Sequence, residues 1–162
     1  MRGAAKCITS APYPSSCIPH PPMKLSAKTE YACLAMLQLA AEHDSGEPVQ
    51  IRRIADEHGI PARFLVQILL QLKGASLVAS TRGAAGGYRL ARPPREITLA
   101  EVIEVMEGED RPQTNAGKPT PLVGALLFLC RELSDAQRDR LEDTTLSDLV
   151  DQAARREPMW YI

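Results

Sequence analysis

Arg63 and Gln67 stand four residues apart in the run Ala62-Arg63-Phe64-Leu65-Val66-Gln67, and on a helix that spacing puts both side chains on one face. A guanidinium can pair bidentately with guanine and a carboxamide with adenine, while an exposed aromatic such as Phe64 can meet a thymine methyl. Taken alone, the three residues fit better a core helix, with Arg63 and Gln67 on its solvated face and Phe64 inside. A second cluster, Arg82-Gly83-Ala84-Ala85-Gly86-Gly87-Tyr88-Arg89, shifts that balance. Its glycines permit positive φ and close backbone approach, and Arg82 at the base of a hairpin can grip phosphate or enter a minor groove. The plainer reading is an ordinary glycine-rich hairpin. A nucleotide-binding loop is not expected, because the order G-x-x-x-x-G-K-[ST] is absent and no helix follows.

Other chemistries find little support. The four cysteines, Cys7, Cys17, Cys33 and Cys130, contain no C-x-x-C pair, so a disulfide framework is not expected. Cys33 lies among Ala32, Leu34 and Ala35 and reads as a small buried hydrophobe. Cys130 follows Leu126-Leu127-Phe128-Leu129 and reads as buried too, with a redox-sensing thiol as the sharper alternative. His20, His43 and His58 show no ligand spacing with any cysteine, and no metal is expected. No nucleophile, base and orienting group converge, which argues against an enzyme.

The elements that would position Arg63 and Gln67 follow from periodicity. Tyr31, Leu34 and Leu37 recur at helical spacing between Ser26, a plausible N-cap, and His43. Asp44-Ser45-Gly46-Glu47-Pro48 breaks that helix. Gln50 to His58 reads as a short second helix stopped by Gly59. Pro61 then sits at an N1-like position of a third helix carrying Phe64, Leu65, Ile68, Leu69 and Leu72, which ends near Gly74. Helix, short helix, glycine turn and helix is the order of a helix-turn-helix. Leu77 to Thr81 and Tyr88 to Leu90 read as two short strands around the basic glycine-rich tip. Thr98-Leu99-Ala100-Glu101 is a capping box that opens a fourth helix to Met106. Gly108 to Pro121 reads as a loop. Leu122 to Cys130 is short and apolar, and Ser134-Asp135-Ala136-Gln137 reads as a second capping box, opening a helix with Leu141, Leu149, Val150 and Ala153 as its stripe. A long helix projecting from a small domain packs on a partner.

Composition agrees with a globular chain: of 162 residues, 44% are apolar and 24% charged, near the averages that separate folded domains from disordered or fibrous ones. No window approaches the roughly 18 apolar residues that span a bilayer, so a transmembrane protein is not expected. The net charge of -1 hides an asymmetry, with ten Lys/Arg against six Asp/Glu from Met23 to Arg95 and seven against 14 from Glu96 to Ile162. A basic half joined to an acidic half fits a polyanion partner for the former. Five prolines in the first 22 residues forbid regular structure there, and no apolar stretch of signal-peptide length follows Arg2. Met23 reads as the natural start. The expected organisation is a disordered extension over 1–22, a winged helix-turn-helix DNA-binding domain over 23–95, and a helical dimerisation and regulatory region over 96–162.

The runs Met23-Lys24-Leu25-Ser26-x-Lys28-x-x-Tyr31-Ala32, Ile60-Pro61-x-x-Phe64-Leu65-x-Gln67-Ile68-Leu69 and Ser80-x-Arg82-Gly83-x-x-Gly86-Gly87-Tyr88, with Ile97-Thr98-Leu99-x-Glu101-Val102-Ile103, resemble the Rrf2 family of bacterial transcription regulators. The resemblance covers about Met23 to Asp151, and its most specific part is R-G-x-x-G-G-Y. It implies a mostly α fold with a small β-hairpin wing, and a long C-terminal helix that pairs with its twin in a homodimer. It further implies DNA contacts from Arg63, Phe64 and Gln67 in the recognition helix and Arg82 in the wing. Lys24, Ser26, Lys28 and Tyr31 at the start of the first helix, with Gly86, Gly87 and Arg89 in the wing, complete the candidate set. Family members with an iron–sulfur cluster place three cysteines between the fourth helix and the dimer helix. Gly108 to Pro121 has none, so no cofactor is expected, since one thiolate cannot replace three soft ligands. The expected function is a cytoplasmic, sequence-specific repressor binding a palindromic operator in double-stranded DNA, with no membrane partner. The alternative is a winged-helix adaptor that binds protein and not DNA.

Overall fold

The computed structural model describes residues 25–83, 86–108 and 113–155. The proline-rich extension at 1–22, Lys24 and the 84–85 tip of the glycine loop lie outside them. Helix α1 (Ala27–Ala41) begins where Ser26 Oγ accepts the Thr29 amide, leaving Ser26 itself extended. It is the central helix. Ala32, Cys33, Ala35, Met36, Leu39 and Ala40 are buried on more than one side, and the three alanines let neighbouring elements approach closely. Gly46 turns the chain at φ 69°, α2 (Ile51–His58) follows, and Gly59 ends it in the left-handed conformation.

Helix α3 (Ala62–Gly74) buries Leu65, Ile68, Leu69 and Leu72. Pro61 takes its N-cap, one place before the first-turn site expected from the sequence. Strands β1 (Val78–Thr81) and β2 (Gly87–Leu90) pair antiparallel with Ser80 opposite Tyr88 and Ala79 opposite Arg89. Val49 adds a further rung, outside the two strands, that the sequence did not signal, exchanging both backbone hydrogen bonds with Tyr88 at 2.8 and 2.9 Å. The wing is thereby stitched to the loop before α2.

Helix α4 (Leu99–Glu107) starts at the expected box, in which Thr98 Oγ1 accepts the Glu101 amide and Glu101 Oε2 accepts the Thr98 amide. The second expected box does not form. Helix α5 (Pro121–Glu142) runs unbroken through Ser134, whose hydroxyl donates to the Cys130 carbonyl one turn back at 3.0 Å. A serine inside a helix can satisfy itself this way, so a capping-box spelling does not open a helix by itself. The break comes later. Asp143 closes α5, and Thr145 and Asp148 cap each other ahead of α6 (Leu146–Arg155), Thr145 Oγ1 accepting the Asp148 amide and the carboxylate accepting the Thr145 hydroxyl and amide. Those bonds hold the Asp148 carboxyl below its ordinary range.

Helix α6 folds back. Leu146 is fully buried beside Ile97 and Val102, and two backbone bonds, Leu99 to Thr144 and Leu146 to Ile97, tie the α5–α6 turn to the start of α4. One hydrophobic cluster therefore spans α1, α3, the wing, α4 and the root of α6. Helix α5 is the exception, with no buried residue in 22. Cys130, expected inside, is half-exposed on it.

Candidate nucleic-acid interface

The α2–α3 turn sets the direction of α3. Gly59 at φ 64° reverses the chain, Ile60 is buried and donates its amide to the Ala55 carbonyl at 2.9 Å, and Pro61 enters α3 with extended ψ. The apolar quartet of α3 turns inward, so Arg63, Phe64, Val66, Gln67 and Leu70 face out. Arg63 and Gln67 are both exposed on one face, as their spacing predicts. Phe64 is not in the core. The residue is 47% exposed, and its ring lies under the Arg63 guanidinium, 5.0 Å from Cζ to the ring centre. This cation–π contact holds the guanidinium over an aromatic platform at the helix start. Pro61 offers no side-chain cap, and its carbonyl accepts the Phe64 and Leu65 amides at 2.9 and 3.4 Å, while the positive dipole end of α3 favours an anion.

The wing residues divide. Arg82 is exposed at the end of β1, followed by Gly83 at φ 112° and a turn closed by the Gly86 amide on the Gly83 carbonyl at 3.0 Å. Gly86 and Gly87 are glycine for internal reasons. A Cβ on Gly86 would lie 2.3 Å from the Thr81 carbonyl oxygen, and one on Gly87 would lie 2.5 Å from that of Val49. Arg89 pairs with Ala79 on the sheet face away from Tyr88 and Leu90. There it lines a cavity of about 290 Å³ with Glu42, His43 and Glu47.

The start of α1 carries structural duties. The Ser26 amide and the buried Thr29 hydroxyl both donate to Glu107 Oε1, at 3.3 and 2.7 Å, and Lys28 Nζ donates to the Met106 carbonyl at 3.2 Å. The end of α4 is thereby latched to the start of α1, with the ammonium at the negative end of α4. Tyr31 is half-buried against the core. Burial, and then the Glu107 carboxylate, push the Cys33 thiol up to about 11, which leaves it protonated and inert.

Sequence reasoning missed Lys73, whose Nζ donates to Ser80 Oγ at 2.6 Å and bridges α3 to the wing. It also missed Glu107 and the outward position of Val66 and Leu70. The last of these was findable, because residues 66 and 70 fall off the 65/68/69/72 period.

A family model described as "Rrf2: Iron-dependent Transcriptional regulator" matches residues 25–152. The chain is 42% identical over 132 residues to a Mycobacterium tuberculosis chain assigned as an HTH-type transcriptional regulator, across 79% of this chain and 81% of that one. It is 36% identical over 128 residues to the HTH-type transcriptional regulator CymR of Bacillus subtilis, across 79% of this chain and 90% of CymR. The solved structure of B. subtilis CymR, called the global cysteine regulator, superposes with a TM-score of 0.69 at 34% identity over 80% of this chain and 98% of that one. T. potens IscR superposes with a TM-score of 0.70 at 28% identity over 85% of this chain and 93% of that one.

Proposed function

The chain belongs to the Rrf2 family of DNA-binding transcriptional regulators, which are not enzymes, and from that premise we propose that it binds a palindromic operator as a homodimer and represses by occupying it. The observation that carries the reading is the division of α3 into a sealed inner quartet and an outer face with Arg63 and Gln67 free to meet base edges. Arg63, steadied over Phe64, takes a guanine and Gln67 an adenine. Arg82 grips the backbone or minor groove from the wing. Ser26 and Lys28 set the start of α1, where Lys24 and Tyr31 add backbone contacts.

The homodimer is supported by α5, which presents Leu122 at 81% and Leu126 at 60% exposure, with Leu129 and Leu133 continuing the same row. Spacings of four, three and four make a seam that a second copy can cover. A two-fold pair would place recognition helices about 34 Å apart in successive major grooves, which is why the operator should be palindromic. Occupancy alone excludes another protein from that stretch, so repression needs no further surface.

We propose that the regulator works without an iron–sulfur cluster and in the cytoplasm. Supporting the first, the 108–121 segment has no cysteine, Cys33 is buried with a raised pKa, and among the described residues no three His, Cys, Asp or Glu side chains gather as metal ligands. The residues present do not fit the group. Supporting the second, the relatives are transcriptional regulators, which act where the chromosome is. Cys130, half-exposed on α5, is the thiol on which an oxidant would act.

Fluorescence anisotropy on duplex DNA from the chain's own upstream region, against a scrambled duplex across a salt series, tests the reading. Neutralising about six phosphates predicts a slope of roughly -5 in log K against log salt, with strong preference for the native duplex. Absence of binding to either duplex at low salt, with thiols reduced, would restore the adaptor reading.

A further inference from the structure

Helix α3 carries a second outward-facing pair that the guanine and adenine contacts do not use. Val66 is 40% and Leu70 54% exposed, four residues apart. At about 100° per residue, Arg63, Val66, Gln67 and Leu70 fall within an arc of about 100°, almost opposite the arc of the buried quartet. Around that narrow face the order is Val66, Leu70, Arg63 and Gln67, so the two apolar side chains flank the guanidinium on the side away from the carboxamide.

The setting selects the occupant. Arg63 and Lys73 on the same helix make the surroundings cationic, which an apolar protein surface does not require and a polyanion does. The chain keeps its contiguous apolar row elsewhere, on α5. In a major groove the thymine C5-methyl is the apolar group on offer, and it stands beside the donors and acceptors that Arg63 and Gln67 would read.

We propose that Val66 and Leu70 read thymine methyls, so that each half-site carries thymines next to the base pairs met by Arg63 and Gln67. The inference rests on the operator-binding reading and adds its base preference. Covering one methyl contributes about fourfold in affinity.

The test begins with duplexes enriched by the protein from a random pool. Each thymine is then replaced in turn by uracil, which removes the methyl and leaves every hydrogen-bonding edge in place. Wild-type protein should lose about fourfold at symmetric thymines in both half-sites, while the Val66→Ala, Leu70→Ala double variant should bind the thymine and uracil duplexes alike. Both positions are exposed, and matching far-UV spectra would confirm the variant's fold. Equal wild-type affinity for thymine and uracil duplexes, with the selected sequence still preferred over a scrambled one, would overturn methyl reading and leave operator binding intact. A double variant that keeps the full uracil penalty would overturn the assignment to these side chains. Failure to enrich any sequence would remove the operator reading and this inference with it.

Discussion

Helices α3 and α5 are both rich in leucine, and they dispose of it differently. In α3, 13 residues long, Leu65, Ile68, Leu69 and Leu72 are all sealed by the chain's own elements. In α5, 22 residues long, Leu122, Leu126, Phe128, Leu129 and Leu133 all stand exposed. Helix α3 belongs to a core that closes on itself, whereas the chain leaves that core along α5 and returns to it at Leu146, in α6. On the proposed function, a rigid base-reading surface and an open seam for a second copy are thus separate properties of separate helices. Oligomerisation should be removable without loss of the DNA-reading fold.

The sharpest way to break that comparison is to charge the open seam. In the proposed homodimer, Leu126→Glu with Leu133→Glu removes four leucines from the two-fold seam, about 6 kcal/mol per dimer at roughly 1.5 kcal/mol each. Sedimentation should then show a monomer whose unfolding midpoint no longer depends on protein concentration. The comparison fails if the variant still sediments as a dimer, or if cooperative unfolding disappears altogether.

The sealed side should answer differently. Leu69→Ala deletes a fully buried side chain and should reduce stability by about 2–5 kcal/mol in urea unfolding, with the dimer retained where the protein is folded. A smaller effect of the same kind probes the stitch between the wing and the loop before α2. Gly87→Ala drives a methyl to 2.5 Å from the Val49 carbonyl oxygen, and since backbone must yield, a loss of about 1–3 kcal/mol is expected. Gly117, around which nothing lies within 4 Å, is the control, and Gly117→Ala should fall within about 0.5 kcal/mol of the parent. Equal midpoints for the two variants would mean that the wing is not fixed by its Val49 rung.

How much of this was legible in the sequence depends on how local its cause is. The α3 quartet, Ser26 as a cap, Gly59 as a stop and the Thr98–Glu101 box were all readable, because each follows from residues within one or two turns of one another. The Val49–Tyr88 rung joins residues 39 apart, and the Glu107 latch on Ser26 and Thr29 spans about 80, distances at which periodicity carries no signal. The candidate site was read correctly for the outward direction of Arg63 and Gln67. The close backbone approach expected of the glycines is present at Gly86 and Gly87, where the protein's own backbone is what comes near, while the face taken by Arg89 is set by a strand register that spelling does not reveal.

The two capping-box spellings bring the comparison down to single hydroxyls. Thr98-Leu99-Ala100-Glu101 opens a helix packed into the closed core, and both reciprocal bonds form. Ser134-Asp135-Ala136-Gln137 has the same form but lies inside α5, where the preceding apolar turns already propagate the helix. Its hydroxyl turns back to the Cys130 carbonyl, an acceptor whose intrahelical partner is in place without it. Thr98→Ala should therefore lose about 1 kcal/mol, since a cap leaves a first-turn amide unpaired. Ser134→Ala should change stability by no more than about 0.5 kcal/mol, and toward gain, because alanine is the better helix former at an interior position. Thermal unfolding of both variants against the parent decides the matter. Similar losses at the two sites would show that Ser134 is a helix start after all, and that α5 is two helices meeting there.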